Sequence, residues 1–181
     1  YASYKSKKRK MDFTSPFALP ATKEWLNNLI NTERPISQNL IEKDFREAFG
    51  LSRIADSSRN VLGMALDALH LTIETDAATN FYWPTGFDLD SYRFYRLNSS
   101  SFSRDICDIS FIELGNAIAD ILSYQGKMSE PDLYKQVSLL FGFSSLKEKS
   151  RAYLARALKS NAGNRLGISL SGDGYVYLLG H

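Results

Sequence analysis

The sequence predicts an α+β fold, mainly helical, made of two copies of one small motif. Three observations carry this reading: an ungapped internal repeat, helical periodicity with capping signals in each copy, and β-prone runs around a turn closing each copy. Overlaid at an offset of 92, residues 26–67 and 118–159 align without a gap, and 10 of the 31 positions from 37 to 67 are identical. Ser37 falls on Ser129, Lys43 on Lys135, Phe49-Gly50 on Phe141-Gly142, Ser58-Arg59 on Ser150-Arg151, and Ala65-Leu66 on Ala157-Leu158. Apolar character persists where identity fails, as at Leu26 and Ile118, Ile41 and Leu133, and Ile54 and Leu146.

The second copy reads most clearly. Ser110 and Glu113 form a Ser-x-x-Glu capping box, and Ile112, Ala117, Ile118, Ile121 and Leu122 follow at helical spacing. Gln125-Gly126-Lys127 breaks that helix. Ser129 N-caps the next, with Pro131 in its first turn, and Gly142 ends it as a C′ glycine. A third helix spans about 147–160 with Tyr153, Leu154, Ala157 and Leu158 inward. Gly167–Leu170 and Tyr175–Leu178, joined through Ser171-Gly-Asp-Gly174, make a hairpin. Helix, helix, helix, hairpin is the winged-helix order.

The first copy repeats that order. Its helices are expected at Trp25–Ile30, Ser37–Phe49 and Asp56–Leu69, and its strands at Leu71–Thr75 and Asn80–Trp83, two residues out of register with the second hairpin. The predicted architecture is therefore a tandem duplicated winged-helix pair. Its boundaries are a basic tail at 1–21, a first module with an aromatic extension at 22–97, a linker at 98–109 and a second module at 110–181. The stretch from Pro84 to Arg96 is too aromatic for a free linker and is expected to pack on a module.

Several of these segments resemble a known family. They are Arg104 to Leu122, the Leu140-Phe-Gly-Phe143 and Ser150-Arg151 pairings, Phe81-Tyr-Trp-Pro84, and Tyr92-Arg-Phe-Tyr-Arg96. They resemble a C-terminal winged-helix-like domain family of large bacterial superfamily 1 helicase/nuclease-type proteins, over roughly residues 22–178. The family usually carries a basic, glycine-containing stretch before the Ser-Arg. Here those positions read Ser52–Ser57 and Ser144–Lys149, so no shared contact is transferred from it. The resemblance implies a DNA-processing context, with the other domains of a helicase-like parent as partners. It implies no catalytic residues.

Composition sets the bounds. The chain has 181 residues, 44% hydrophobic and 23% charged, with a net charge of +2, which is ordinary globular chemistry. No apolar run approaches a membrane span, and no apolar stretch follows the basic start as in a signal peptide. The single cysteine, Cys107, allows no internal disulfide and fits a cytoplasmic protein. The start at Tyr1 reads as a piece cut from a longer protein, with Gly180-His181 as an added remnant. Residues 1–10 hold five cations and no acid, residues 11–100 hold 8 basic and 12 acidic residues, and residues 101–181 hold 9 and 8. The body thus lacks the uniform positive charge of a strongly basic nucleic-acid domain.

No catalytic residue, cofactor, metal or small-molecule substrate is expected. His70 and His181 lack a nucleophile or carboxylate partner in sequence, Cys107 lacks companions for a metal site, and there is no phosphate-binding Gly-x-x-x-x-Gly-Lys loop. Asp88-x-Asp90 and Asp173 read as turn residues.

DNA binding is the sharper expectation. Inward placement of Tyr153, Leu154, Ala157 and Leu158 turns Lys149, Ala152, Arg156 and Lys159 outward. Lys147 before them and Arg165 in the wing extend a cationic stripe that would neutralise phosphates. The plainer reading is a solvated helix face. In the first copy the equivalent positions are Ser57, Asn60, Met64 and Asp67, without a cation. That contrast assigns DNA to the second module and protein contacts to the first. The alternative for the whole chain is a protein–protein docking or dimerisation module with no DNA contact. Arg59 and Arg151, a matched pair, read as structural arginines bonding between helices. The Lys7–Lys10 run reads as either a phosphate-binding arm or a solvated tail.

Overall fold

Ala18, Thr22, Trp25, Leu26, Leu29 and Ile30 recur at helical spacing and bury one face of α1 (Ala18–Glu33). The computed structural model describes residues 4, 10–75, 79–99 and 102–179, and over them the fold is α+β, about half helical, with two small antiparallel sheets. The chain divides into two units, Tyr1–Phe87 and Asp88–His181.

In the first unit α1 leads into β1 (Ile36–Ser37), α2 (Gln38–Phe49), α3 (Asp56–Asp67) and the hairpin β2 (Thr72–Thr75) and β3 (Asn80–Trp83). The sheet order is β1-β3-β2, with Ile36 and Ile73 both opposite Tyr82. Trp25, Leu26, Leu29, Phe45, Phe49, Leu62 and Tyr82 form the core. The rings of Trp25, Phe45 and Phe49 lie 5.0–5.7 Å apart, a spacing at which tilted aromatic pairs attract. Trp83 is fully buried in the same unit and stacks on Phe87 at 4.9 Å, so both tryptophans of the chain are buried there.

The first regular element of the second unit is a 3₁₀ turn, η1 (Ile106–Asp108). The unit continues through α4 (Phe111–Gln125), β4 (Met128–Ser129), α5 (Glu130–Leu140), α6 (Glu148–Leu158), a single-turn α7 (Asn161–Asn164), β5 (Ile168–Leu170) and β6 (Tyr175–Leu178). Its sheet order, β4-β6-β5, is that of the first unit, again antiparallel throughout. Helix α4 is the spine: Phe111 through Ile118 are all buried.

The 92-residue offset recurs in the elements. β1 and β4 coincide under it, as do the first residues of α2 and α5 and of α3 and α6. Ser37 Oγ accepts from the Leu40 N–H, and Ser129 Oγ accepts from the Asp132 N–H. Each cap contributes about 1 kcal/mol. At the other end, Leu51 N–H donates to Arg46 O and Phe143 N–H to Ser138 O, with Gly50 and Gly142 at φ of 65° and 84°. This is the six-to-one bond of a Schellman cap, whose left-handed residue glycine adopts without strain. The third strands are two residues apart, since Ile36 faces Tyr82 whereas Met128 faces Val176.

Some expectations differ from the structure. α1 starts at Ala18, not Trp25, and the chain before it belongs to the first core. Phe13 packs on Phe45 and Phe49 at 5.4 and 5.5 Å, and Tyr4 N–H donates to Glu33. The tail reading of 1–21 therefore ends early. The division between units falls at 87/88, ten residues before the expected 97/98, because the aromatic extension packs on the second unit. The linker expected at 98–109 contains Arg104, Ile106 and Ile109, all buried. Strands β1 and β4 are two residues long and leave no periodicity to read.

Candidate nucleic-acid interface

Helix α6 forms because its apolar residues sit on one face. Tyr153, Leu154, Ala157 and Leu158 are buried, and the Tyr153 hydroxyl donates to the Ile109 carbonyl at 2.9 Å, which fixes the helix against the turn before α4. The opposite face carries Lys147, Lys149, Ala152, Arg156 and Lys159, all exposed, as the spacing predicts. Lys147 is the N-cap residue and makes no side-chain cap bond. The Arg156 guanidinium lies 5.7 Å from the centroids of both Phe111 and Tyr153, a cation–π seat that orients it while leaving it exposed. Lys149 lies close enough to Cys107 to oppose the rise of its thiol, which burial first and Asp105 second push up to about 11. That thiol stays protonated at neutral pH.

Arg165 departs from the stripe. It sits between α7 and β5, not on the wing, and its guanidinium is engaged within the unit. Nη1 donates to the carbonyls of Leu89 and Asp90 at 3.2 and 2.9 Å, and Nη2 donates to Tyr92 O and Asn116 Oδ1 at 3.0 and 2.7 Å. Asn116 in turn donates to the carbonyls of Tyr92 and Phe94. Arg165 is thus a clamp on residues 89–94.

The matched arginines also differ from expectation. Arg59 is exposed. Arg151 pairs with Glu148 on its own helix at 3.9 Å with its side chain 46% exposed, so no inter-helix bond is made at the inner edge. Arg151 instead faces a cavity of about 490 Å³ bounded by the start of α5, the middle of α6 and the β5–β6 turn. Tyr134 on that wall donates its hydroxyl to Glu130 at 2.5 Å. Burial first, then this bond, push the phenol well above its ordinary range.

In the first unit, Ser57, Asn60, Met64 and Asp67 are all exposed, with Met64 at 48%. Of the basic run only Lys10 is described, and it is exposed; Lys7, Lys8 and Arg9 lie outside the described residues, as does His181. His70 follows α3 with φ of 47°. Asp88 accepts from Asp90 N–H, and Asp173 accepts from the Ser171 hydroxyl and pairs with Lys127 at 3.3 Å, so these aspartates stabilise turns. Among the described residues no group of three or more His, Cys, Asp or Glu could hold a metal, and no helix is long and apolar enough to cross a membrane.

The residues that the sequence reading missed are the buried charges. Glu113 pairs with Arg104 at 2.5 Å and with Arg96 at 3.4 Å, and all three side chains are at most 2% exposed. Arg104 also donates to Arg96 O, and the Phe102 ring packs against both guanidiniums at 5.2–5.3 Å. Ser110 Oγ accepts from Glu113 N–H as a capping box requires, but the Glu113 carboxylate turns to the arginines and to Arg96 N–H. The available signal was slight: Arg96 closes the aromatic run, Arg104 stands eight residues on, and Glu113 falls among the apolar residues that open α4.

No protein-family model matches the chain, and a comparison with curated proteins gives no match.

Proposed function

We propose that the two units are tandem duplicated winged-helix modules and that the chain is a non-catalytic accessory region of a helicase/nuclease-type protein, binding DNA through α6. The shared element order, the shared sheet order and the coincident caps at an offset of 92 support the duplication. The single observation that carries DNA binding is the α6 face. Lys149, Arg156 and Lys159 line one exposed side of the third helix, the element that enters the major groove in helix-turn-helix modules.

The contact surface is narrow. Residues 167–179 hold no cation and one acid, Asp173, and Arg165 is engaged within the unit. Phosphate neutralisation therefore falls to Lys147, Lys149, Arg156 and Lys159. Four such contacts give a slope of log affinity against log salt of roughly −3 to −4. In the first unit the corresponding face presents an exposed Met64 and no cation, which favours a protein contact there. The partners on this reading are DNA and the other domains of the parent.

Fluorescence anisotropy of a labelled duplex at two salt concentrations tests the assignment. Wild type binds with the salt slope above, Lys149/Arg156/Lys159→Glu abolishes binding, and Met64→Glu does not. Salt-insensitive self-association without DNA binding would move the assignment to a protein-docking module.

A further inference from the structure

The cavity beside α6 gives the DNA-binding reading, on which this inference rests, a preferred substrate. Two kinds of group bound it. Tyr175, 40% exposed with the Lys127 ammonium over one face of its ring at 4.5 Å, and Arg151 supply flat surfaces of the kind on which bases stack. Glu130, Glu148 and Asp173 supply carboxylate acceptors. Two of the three are held in place. Glu130 accepts from the Tyr134 hydroxyl at 2.5 Å and its own N–H donates to Gly174 O at 3.0 Å, while Asp173 is held by Ser171 and Lys127.

Charge decides what such a cavity takes. Three carboxylates against two cations, Arg151 on the wall and the Lys127 ammonium paired with Asp173, leave the site net negative and disfavour a phosphate inside it. The carboxylates accept hydrogen bonds from an amino group on a neutral ring, and glutamate or aspartate accepting from cytosine N4 is a standard base contact. Helix α6 joins the cavity to the cationic stripe. Ala152 belongs to both: it lines the cavity and is exposed on the same helix. The volume of about 490 Å³ is ample for one base and its sugar.

We propose that this cavity receives one unpaired, amine-bearing nucleobase, cytosine before thymine, from DNA whose backbone lies on α6. A base in an intact pair has its amino group engaged and stays in the stack. The chain therefore prefers duplex with an extrahelical base over perfect duplex.

The test is anisotropy with three labelled duplexes of equal length: fully paired, with one extrahelical cytosine, and with one extrahelical thymine. The expected result is about tenfold tighter binding of the extrahelical cytosine than of either other probe. Tyr175→Ala and Glu130→Gln, each checked for a native circular-dichroism melt, should bring the cytosine probe down to the level of the paired duplex. Equal affinity for all three probes, with salt sensitivity and the Lys149/Arg156/Lys159 effect retained, overturns the cavity assignment and leaves the DNA reading standing. An absence of binding to all three probes overturns both.

Discussion

Asp44 shows how single residues in this chain depart from what composition suggests. It sits half-buried on α2, and its carboxyl is pushed up to about 6, by burial first and then by Glu47 and Glu33, against an ordinary value of 3.8. The folded state therefore holds this proton more tightly than the unfolded chain does. The stability it lends is fully present below the ordinary value and is lost as pH rises through about 6. Asp44→Asn should raise the melting temperature at pH 7.5 by a few degrees, on the order of 1 kcal/mol after discounting for solvent access, and change it little at pH 4. Thermal melts at the two pH values check this, and an equal gain at both would remove the ionisation argument. Nothing in the sequence marks Asp44, because one acid on an amphipathic helix looks like any other until its neighbours in space are known. Ser37, Ser129, Gly50 and Gly142 were legible for the opposite reason: each acts on backbone within five residues of itself.

At the scale of elements, periodicity placed the bodies of the main helices and both hairpins, including the exposed face of α6 and the buried one behind it. It failed where an element is defined by a distant partner. β1 and β4 exist only as partners of β3 and β6. The segment from Asp88 to Arg104 is held to α4 by Glu113, by Asn116 and by the Tyr95 hydroxyl, which donates to Asp120 at 2.6 Å. Glu113 is the keystone of that attachment. Glu113→Ala leaves Arg96 and Arg104 buried without their counter-ion and should cost about 3–5 kcal/mol. Denaturant unfolding measures the loss, and faster amide exchange at Arg96 would locate it. A loss under 1 kcal/mol would mean that water reaches the guanidiniums and that the segment is not held by charge.

For the whole molecule, the units are each built around their own core, and the boundary at 87/88 makes a direct prediction. Residues 88–181 expressed alone should melt cooperatively. Residues 98–181, cut at the boundary that the sequence suggested, lack Arg96, the Phe94 carbonyl and the three carbonyl acceptors of Arg165 at Leu89, Asp90 and Tyr92, and should melt broadly or not fold. Calorimetry of the two pieces decides it, and equal cooperativity would return the boundary to 97/98. The common 92-residue spacing of caps and element starts was legible in the sequence because each cap acts locally, whereas the boundary depended on side chains reaching across 17 to 76 residues of sequence. The placement of both tryptophans in the first core has an optical consequence. Light absorbed at the red edge of the indole band excites the first unit alone, while the second unit emits only as tyrosine. Indole emission is thus a private reporter of the unit without the cationic helix face, and it stays silent to events on α6 that leave that unit undisturbed.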